Sequence, residues 1–458
     1  MRSFEEIKMR IFALLIVVIL SMYGLNFKVN AQDFIQQRLE IEKKDNENTF
    51  YVFPAGKDGL FIFREVDPEK LGLQVKDKIA WEILKIDTSL NVVWSNTYFY
   101  DEEYTITGFD VHKGLFYLLF LENPGSTEVM VLSEIDPATS QVYNYTIKNP
   151  FQMELLEFEM VGNNVILGGL VNFRTSFVLY DYKQGKTKVL PGFYNEKNEV
   201  MQLEVDDQHD VFKIISGSRS FSKNQNIKIS VFDSDGKRIQ REIINPTENN
   251  SLLYAQSITL ENGKQVIGGT YGKKKSDFSK GLFLSTLTPE GDTDSKYYNY
   301  ADLKHFFSYM KDKKEKRIKR KIKRKRRKGK KIDFNYRLQI HNMHQTDDEL
   351  IMIAEAFYPK YASQPIYNPV GFQQPFNNSG SSNSNVYFEG FQYTHAVVVG
   401  FDRQGNILWD NSFEINDMVT YNLRKIVHMV PFEDKQVLIY LYDNKILSKV
   451  IQNSEIIE

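Results

Sequence analysis

THAVVVGFDRQGNILWDNSFEI, residues 394–415, places two runs of β-favouring residues on either side of Asp402-Arg403-Gln404-Gly405. Asp at the first turn position can bond backbone amides within the turn. Gly at the fourth takes the positive φ that returns the chain antiparallel. The stretch predicts a β-hairpin. Ile86 to Asn96 matches Phe401 to Asn411 without a gap, with Asp, Asn, Trp and Asn in the same places and Leu90 where Gly405 stands. Phe232-Asp233-Ser234-Asp235-Gly236 repeats the turn, and Thr288-Pro289-Glu290-Gly291 is a version that begins with Thr. Asp136-Pro137-Ala138-Thr139 and Asp181-Tyr182-Lys183-Gln184-Gly185 run one residue longer.

Turn-initiating residues therefore fall at 87, 136, 181, 233, 288 and 402, with gaps of 49, 45, 52, 55 and 114. The last gap holds two atypical stretches, 302–331 and 360–392; together they take 63 of the 114 residues and leave 51, one ordinary repeat. Upstream of the hairpins lie further strand pairs, such as Leu156–Val161 with Val165–Val171 and Ser257–Leu260 with Gln265–Tyr271. About four strands in about 50 residues is the signature of a propeller blade. The expected fold is all-β: a single β-propeller of about seven four-stranded blades, six or eight being compatible, over residues 32–458. A final half-unit, Ile426–Val430, Val437–Tyr442 and Ile446–Ile451, lacks another hairpin turn, so an N-terminal strand, Phe34–Ile41, is a candidate to complete it. Second strands carry small residues at one spot (Gly168-Gly169, Ser216-Gly217, Gly268-Gly269, Ala354), where backbones approach closely. Glu355 takes the second small position and is a candidate to face a central channel; a merely solvated carboxylate is the alternative.

The Asp-x-x-Gly-x-Ile/Val-x-Trp hairpin resembles the outer strands of quinoprotein-like (PQQ-like) bacterial β-propeller repeats. That resemblance implies the fold and leaves the chemistry open. Quinoprotein dehydrogenases of this class carry a regular Trp in most blades and a cofactor-binding Cys pair or metal carboxylates. This chain has three Trp and no Cys, so a quinone is not expected; no other cofactor or metal is assigned.

Aromatic residues make up 14% of the 458, with 33 Phe and 26 Tyr, which suits pleated, half-buried surfaces. Arg2, Lys8 and Arg10, then apolar Ile11 to Leu25, then Val29-Asn30-Ala31, form the pattern of an export signal cleaved before Gln32. The h-region is short for a span, which needs about 20 residues. An exported, periplasmic or envelope-associated protein is expected, with secretion as a variant. The lack of Cys excludes disulfides, a thiolate nucleophile and a lipidated Cys.

In the first insertion Leu303, Phe306, Phe307 and Met310 have helical spacing, and Lys311 to Lys331 holds 16 Lys/Arg against Asp312 and Glu315. A continuous helix of about 28 residues is expected. Setting aside 1–31 (4 basic, 2 acidic) and 311–331 (16 basic, 2 acidic) leaves 38 basic against 55 acidic residues, so the near-neutral total conceals a basic segment on an acidic body. Such a segment can dock on that body, stay solvated or meet a polyanion. The candidate contacts are Lys316, Arg317, Lys319, Arg320, Lys323, Arg324, Arg326 and Arg327. Phe306 and Phe307 would insert into a membrane or, by the favoured reading, pack on the propeller. For an exported protein the expected partner is an acidic envelope protein, with anionic lipid or acidic glycan as alternatives and nucleic acid disfavoured; oligomeric state is open. The second insertion, rich in Pro, Asn, Gln and Ser, is expected to be a long loop with Tyr361, Tyr367, Phe372 and Phe376 as aromatic contacts.

Gly268 to Lys273 lacks the first Gly and the hydroxyl of a phosphate loop, and neither a Gly-x-Ser-x-Gly elbow nor His-Glu-x-x-His occurs. His341 and His344 would face opposite sides of a strand, and Asp233-Ser234-Asp235-Gly236 is a turn rather than a complete calcium loop. No catalytic residue is assigned. The expected function is a non-enzymatic binding or scaffold module of the cell envelope. The alternatives are a propeller enzyme acting on carbohydrate, whose acids would converge from distant blades, or attachment to an anionic membrane surface.

Overall fold

The structure, a computed structural model, describes residues 50–456 apart from 55–58, 67–77, 102, 124, 197, 219–224, 248, 261–263, 288–292, 347–348, 365–384, 422, 433–434, 443–444 and 453–454. The export signal, the strand at 34–41 and the turn at 288–291 lie outside the described residues. Seven four-stranded antiparallel sheets follow one another along the chain, each an up-and-down meander in chain order. They span 50–101, 105–148, 154–189, 198–244, 250–299, 337–414 and 428–456, and are numbered sheets 1 to 7 here. In sheet 6 the short strand Val419–Thr420 also pairs with the third strand. The blade-like repeat is thus present in the expected number. Two compact units result: sheet 1 with the turn 137–141, and sheets 2 to 7.

The repeated turn recurs atom by atom. Asp402 Oδ1 accepts from the amides of Gln404 (2.9 Å) and Asn406 (2.6 Å), and its Oδ2 from Asn406 Nδ2 (2.8 Å). Asp87 does the same with Ser89 (2.9 Å), Asn91 (2.8 Å) and Asn91 Nδ2 (3.1 Å). Gly405 has φ +81°, and Leu90 holds the equivalent position at +59°. Its side chain packs against Ile62, Leu84 and Ile86, a contact that offsets part of the left-handed backbone's cost of about 1–2 kcal/mol.

Each pair of neighbouring sheets from 2 to 7 shares one apolar cluster. Leu132 and Leu167 belong to the cluster of sheets 2 and 3, Phe177 and Phe212 to that of 3 and 4, Ile229 and Phe283 to that of 4 and 5, Leu284 and Met352 to that of 5 and 6, and Val398 and Leu438 to that of 6 and 7. Middle strands are therefore covered on both faces, and Val129–Ile135 is buried over six of its seven residues.

One feature escapes the sequence pattern. The first strand of sheets 2 to 6 carries one extra residue opposite its neighbour: Thr107, Leu156, Met201, Leu253 and His341. A bulge bends and twists the strand that bears it. The small residues serve this region. A Cβ on Gly169 would lie 2.1 Å from the Glu154 carbonyl oxygen, and one on Gly269 would lie 2.1 Å from that of Tyr254. Gly269→Ala is expected to cost about 2 kcal/mol or more, because fixed backbone cannot yield as a side chain can. A urea midpoint unchanged from the parent would sink this account.

Sheet 7 has a fourth strand in Glu455–Ile456, which pairs with Lys445–Gln452. The structure corrects two expectations about the insertions. The helix, α1, is Asp312–Arg327, 16 residues, while 301–310 forms successive turns such as Ser308 N–H to His305 O (2.9 Å) and Met310 N–H to Phe307 O (3.1 Å). The second insertion is not loop throughout: Leu350–Gln364 and Asn385–Phe401 pair into a ribbon as far as Gln364 and Asn385.

Candidate functional site

Sheet 6 carries both insertions. Strands in a meander alternate in direction, so the link entering the first strand and the link joining the second to the third leave from the same side. Both insertions therefore emerge on one side of sheet 6, a relation the sequence left open.

The first insertion plugs the gap between sheets 5 and 6. Phe306 and Phe307 are fully buried, among Leu282, Leu284, Leu338 and Val397. Phe306 stacks on Tyr300 (4.5 Å) and meets Tyr336 (4.9 Å) and His395 (5.2 Å) edge-on. Tyr309 lies flat on His395 at 3.7 Å, and burial holds the His395 imidazole down at about 3, hence neutral. The turns at 302–308 are secured by Asp410, buried in the fourth strand, which accepts from the amides of Lys304 (2.8 Å) and His305 (2.6 Å). These bonds hold 302–308 in its run of turns against the fourth strand, and α1 begins only at Asp312. Phe306 and Phe307 are thus packed on the body and are not presented at the surface.

α1 follows, pinned by Ile318 and Ile322 on the same core, by Ser308 Oγ–H to Glu315 (2.9 Å), and by Arg326 to Asp302 (2.8 Å). Its C-terminus closes with Gly329 at φ +59°, the amides of Gly329 and Lys330 returning to the carbonyls of Arg326 and Lys325 at 3.0 Å. Of the candidate cations, Lys316 reaches Asp312 at 4.0 Å, Lys319 pairs with Glu315 (2.6 Å), and Arg326 is engaged. Arg317, Arg320, Lys323, Arg324 and Arg327 are exposed and pair with no carboxylate among the described residues. Lys316, Lys319, Arg320 and Lys323 line one shallow concavity.

On the ribbon, Phe388 meets Tyr361 (5.6 Å), Phe391 (5.0 Å) and Tyr421 (5.8 Å), making an aromatic patch with Tyr361 and Tyr421 more than half exposed. Tyr367, Phe372 and Phe376 lie outside the described residues.

Glu355 has a different place from the one expected. It is fully buried; its carboxylate accepts from the amides of Ile426 (3.0 Å) and Val427 (2.5 Å), and His341 Nε2 lies 2.9 Å away, out of line for a hydrogen bond. It ties the link into sheet 7 to sheet 6 and opens to no channel.

The acids that do converge lie on first strands or in the turn that follows one, and no local spacing marks them. Asp110 Oδ2 accepts from the Met160 amide across to sheet 3 (2.7 Å), and His112 Nδ1 lies 2.7 Å from Asp207 of sheet 4. Burial raises Asp110 and Glu157. Glu159, half-buried and facing the charges of Asp110, Glu157 and Asp207, is pushed up to about 8, chiefly by desolvation. Lys425, from the link before sheet 7, is lowered by burial yet feels both Glu157 and Glu355. Carboxylates of sheets 3 and 6 thus bear on one ammonium in the link before sheet 7.

No known family's sequence profile matches the chain, and no curated protein is similar to it in sequence. Solved structures resemble the chain only weakly. A cobalt-substituted apocarotenoid oxygenase of Synechocystis is 8% identical, covering 55% of this chain and 64% of its own, with TM-score 0.33. One of two prolyl endopeptidases is 10% identical, covering 78% of this chain and 42% of its own, with TM-score 0.39. The chain thus spans less than two thirds of either protein's length. Among the described residues no helix is long and apolar enough to cross a membrane.

Proposed function

We propose that this chain is an exported binding module of the cell envelope, a seven-bladed propeller related to the quinoprotein-like repeats, whose basic helix and aromatic ribbon engage an acidic partner protein. One observation carries the reading: α1 spends its apolar face on the body and presents a preformed row of unpaired cations to solvent. Holding the helix in place removes the ordering cost that a free basic segment would meet on binding. With no apolar face left, contact with a polyanion is electrostatic and falls steeply with salt. The test is retention of envelope proteins by the mature chain against a variant with Arg317, Arg320, Lys323, Arg324 and Arg327 changed to Gln. A defined acidic set held only by the parent and released near 0.5 M salt is expected, on the order of the screening range. Equal recovery by both proteins would end this reading, and retention by anionic vesicles alone would replace the partner with a membrane surface.

The Asp110–Glu159 pair supports a second reading, a carbohydrate-cleaving enzyme, because a carboxylic acid still protonated near neutrality beside ionisable carboxyls is the provision a general acid needs. The pair has a stability signature whichever reading holds. Unfolded, Glu159 ionises near 4.5; folded, near 8. Between those values the folded state keeps a proton the unfolded state has lost, so stability falls as pH rises through the window, by at most a few kcal/mol. Glu159→Gln should match the parent near pH 4.5 and surpass it in Tm by pH 8. A constant Tm difference from pH 4.5 to 8 would contradict the assignment.

A further inference from the structure

Two cavities of about 620 Å³ each open on the side of sheets 3 to 6 from which the insertions leave, and Glu199 borders both. One lies between sheets 3 and 4 and is lined by Leu156, Glu157 and Phe173; the other lies between sheets 5 and 6, beneath the ribbon, and is lined by Arg337, Gln339, Tyr361 and Phe388. Two of the bulged residues, Leu156 and Leu253, form part of their walls.

Phe173 is the telling residue. Val171 pairs with Arg174, so Asn172 and Phe173 are the two central residues of a tight hairpin, with φ +49° and +60°. That turn favours Asn-Gly, because a side chain at positive φ strains the backbone. Here the second position holds a phenyl ring that is 95% exposed. The ring therefore strains its turn and gains no burial within the fold, the combination expected where strain serves a binding surface. At the other cavity Tyr361 is 58% exposed, and Gln339 Oε1 is buried without a donor.

We infer that the two cavities, joined at Glu199, form one trough that binds a neutral oligosaccharide chain, with Phe173 and Tyr361 as platforms for sugar rings. Flat rings take the apolar C–H face of a pyranose. Glu157, Glu199 and Gln339 accept from hydroxyls, and Arg337, held 4.2 Å from the Phe278 ring, donates to them. The carboxylates exclude an acidic polymer, so this trough and the cationic helix select different ligands. The inference extends the binding-module reading to a second ligand and stands without the helix.

The experiment is affinity electrophoresis and calorimetry of the mature chain against neutral hexasaccharides (β-1,4-glucan, α-1,4-glucan, mannan and xylan). Phe173→Gly should raise Tm by about 2 °C through relief of strain and weaken binding at least about tenfold; Tyr361→Ala should weaken it similarly. The helix variant with five cations replaced should bind sugar as the parent does, so failure of the acidic-partner reading leaves this one standing. Absence of binding to all four sugars, preference for a cationic peptide such as octalysine, or undiminished sugar binding by Phe173→Gly would each overturn the inference.

Discussion

Glu355→Ala is expected to lower the stability of the unit formed by sheets 2 to 7 by about 3–5 kcal/mol, because the carboxylate is fully buried and serves two backbone donors. The amides of Ile426 and Val427, both buried, would be left without their acceptor in the cluster that joins sheets 6 and 7. Glu355→Gln keeps one carbonyl acceptor at nearly the same volume but brings an amide donor against two donors, so about half the loss should remain. Hydrogen exchange should show the damage first at 426–432, where the link enters the first strand of sheet 7. A loss below 1 kcal/mol in Glu355→Ala, by urea unfolding, would show that the clamp is dispensable.

Phe306→Ala is the second large effect, about 3–5 kcal/mol by loss of a fully buried ring and the cavity left in its place. Its partners Tyr300, Tyr336 and His395 come from three separate segments, so they cannot close over the gap without moving strands. α1 is held largely through this plug, and amide protection over 312–327 should collapse at denaturant concentrations where sheet 5 remains protected. By contrast, replacing the exposed cations should change stability by less than about 0.5 kcal/mol. If Phe306→Ala leaves α1 as protected as in the parent, the helix is held by Ile318, Ile322 and its polar contacts alone.

How much of this was legible beforehand differs by kind of interaction. The turn at Asp402 could be read because its bonds close within five residues, and the identical arrangement at Asp87 follows from the same letters. Leu90 marked a departure in the repeat, yet its compensation against Ile62 and Leu84 required the fold. Helical spacing from Leu303 to Met310 misled because these residues reach the cluster between sheets 5 and 6 through a run of turns, which Asp410, more than 100 residues away, holds at the amides of Lys304 and His305. Phe307 packs beside Phe334 at 4.7 Å in the same plug. Glu355 misled for a related reason: its place in the repeat matched a close-approach site, and only the partner backbone at 426–427 shows why a carboxylate stands there.

The candidate sites divide in the same way. The basic run is visible as composition, but which cations remain unpaired depends on Asp302, Asp312 and Glu315. Asn172-Phe173 looks like an ordinary dipeptide until its φ values show that a ring occupies a position suited to glycine. Glu159 carries no local motif, since the carboxylates that raise it come from sheets 2, 3 and 4.

The sequence by itself determined the repeat, a count of about seven units, the Asp-led hairpin turns and the position of both insertions, because each is written in hydrogen bonds and side-chain alternation over a few residues; the exact number of sheets came from the structure. Only the tertiary structure decided which acids meet, which aromatics are buried, where the helix begins and where the cavities open. Those properties depend on desolvation and on partners brought from distant sheets, and neither is encoded in the spacing of neighbouring residues.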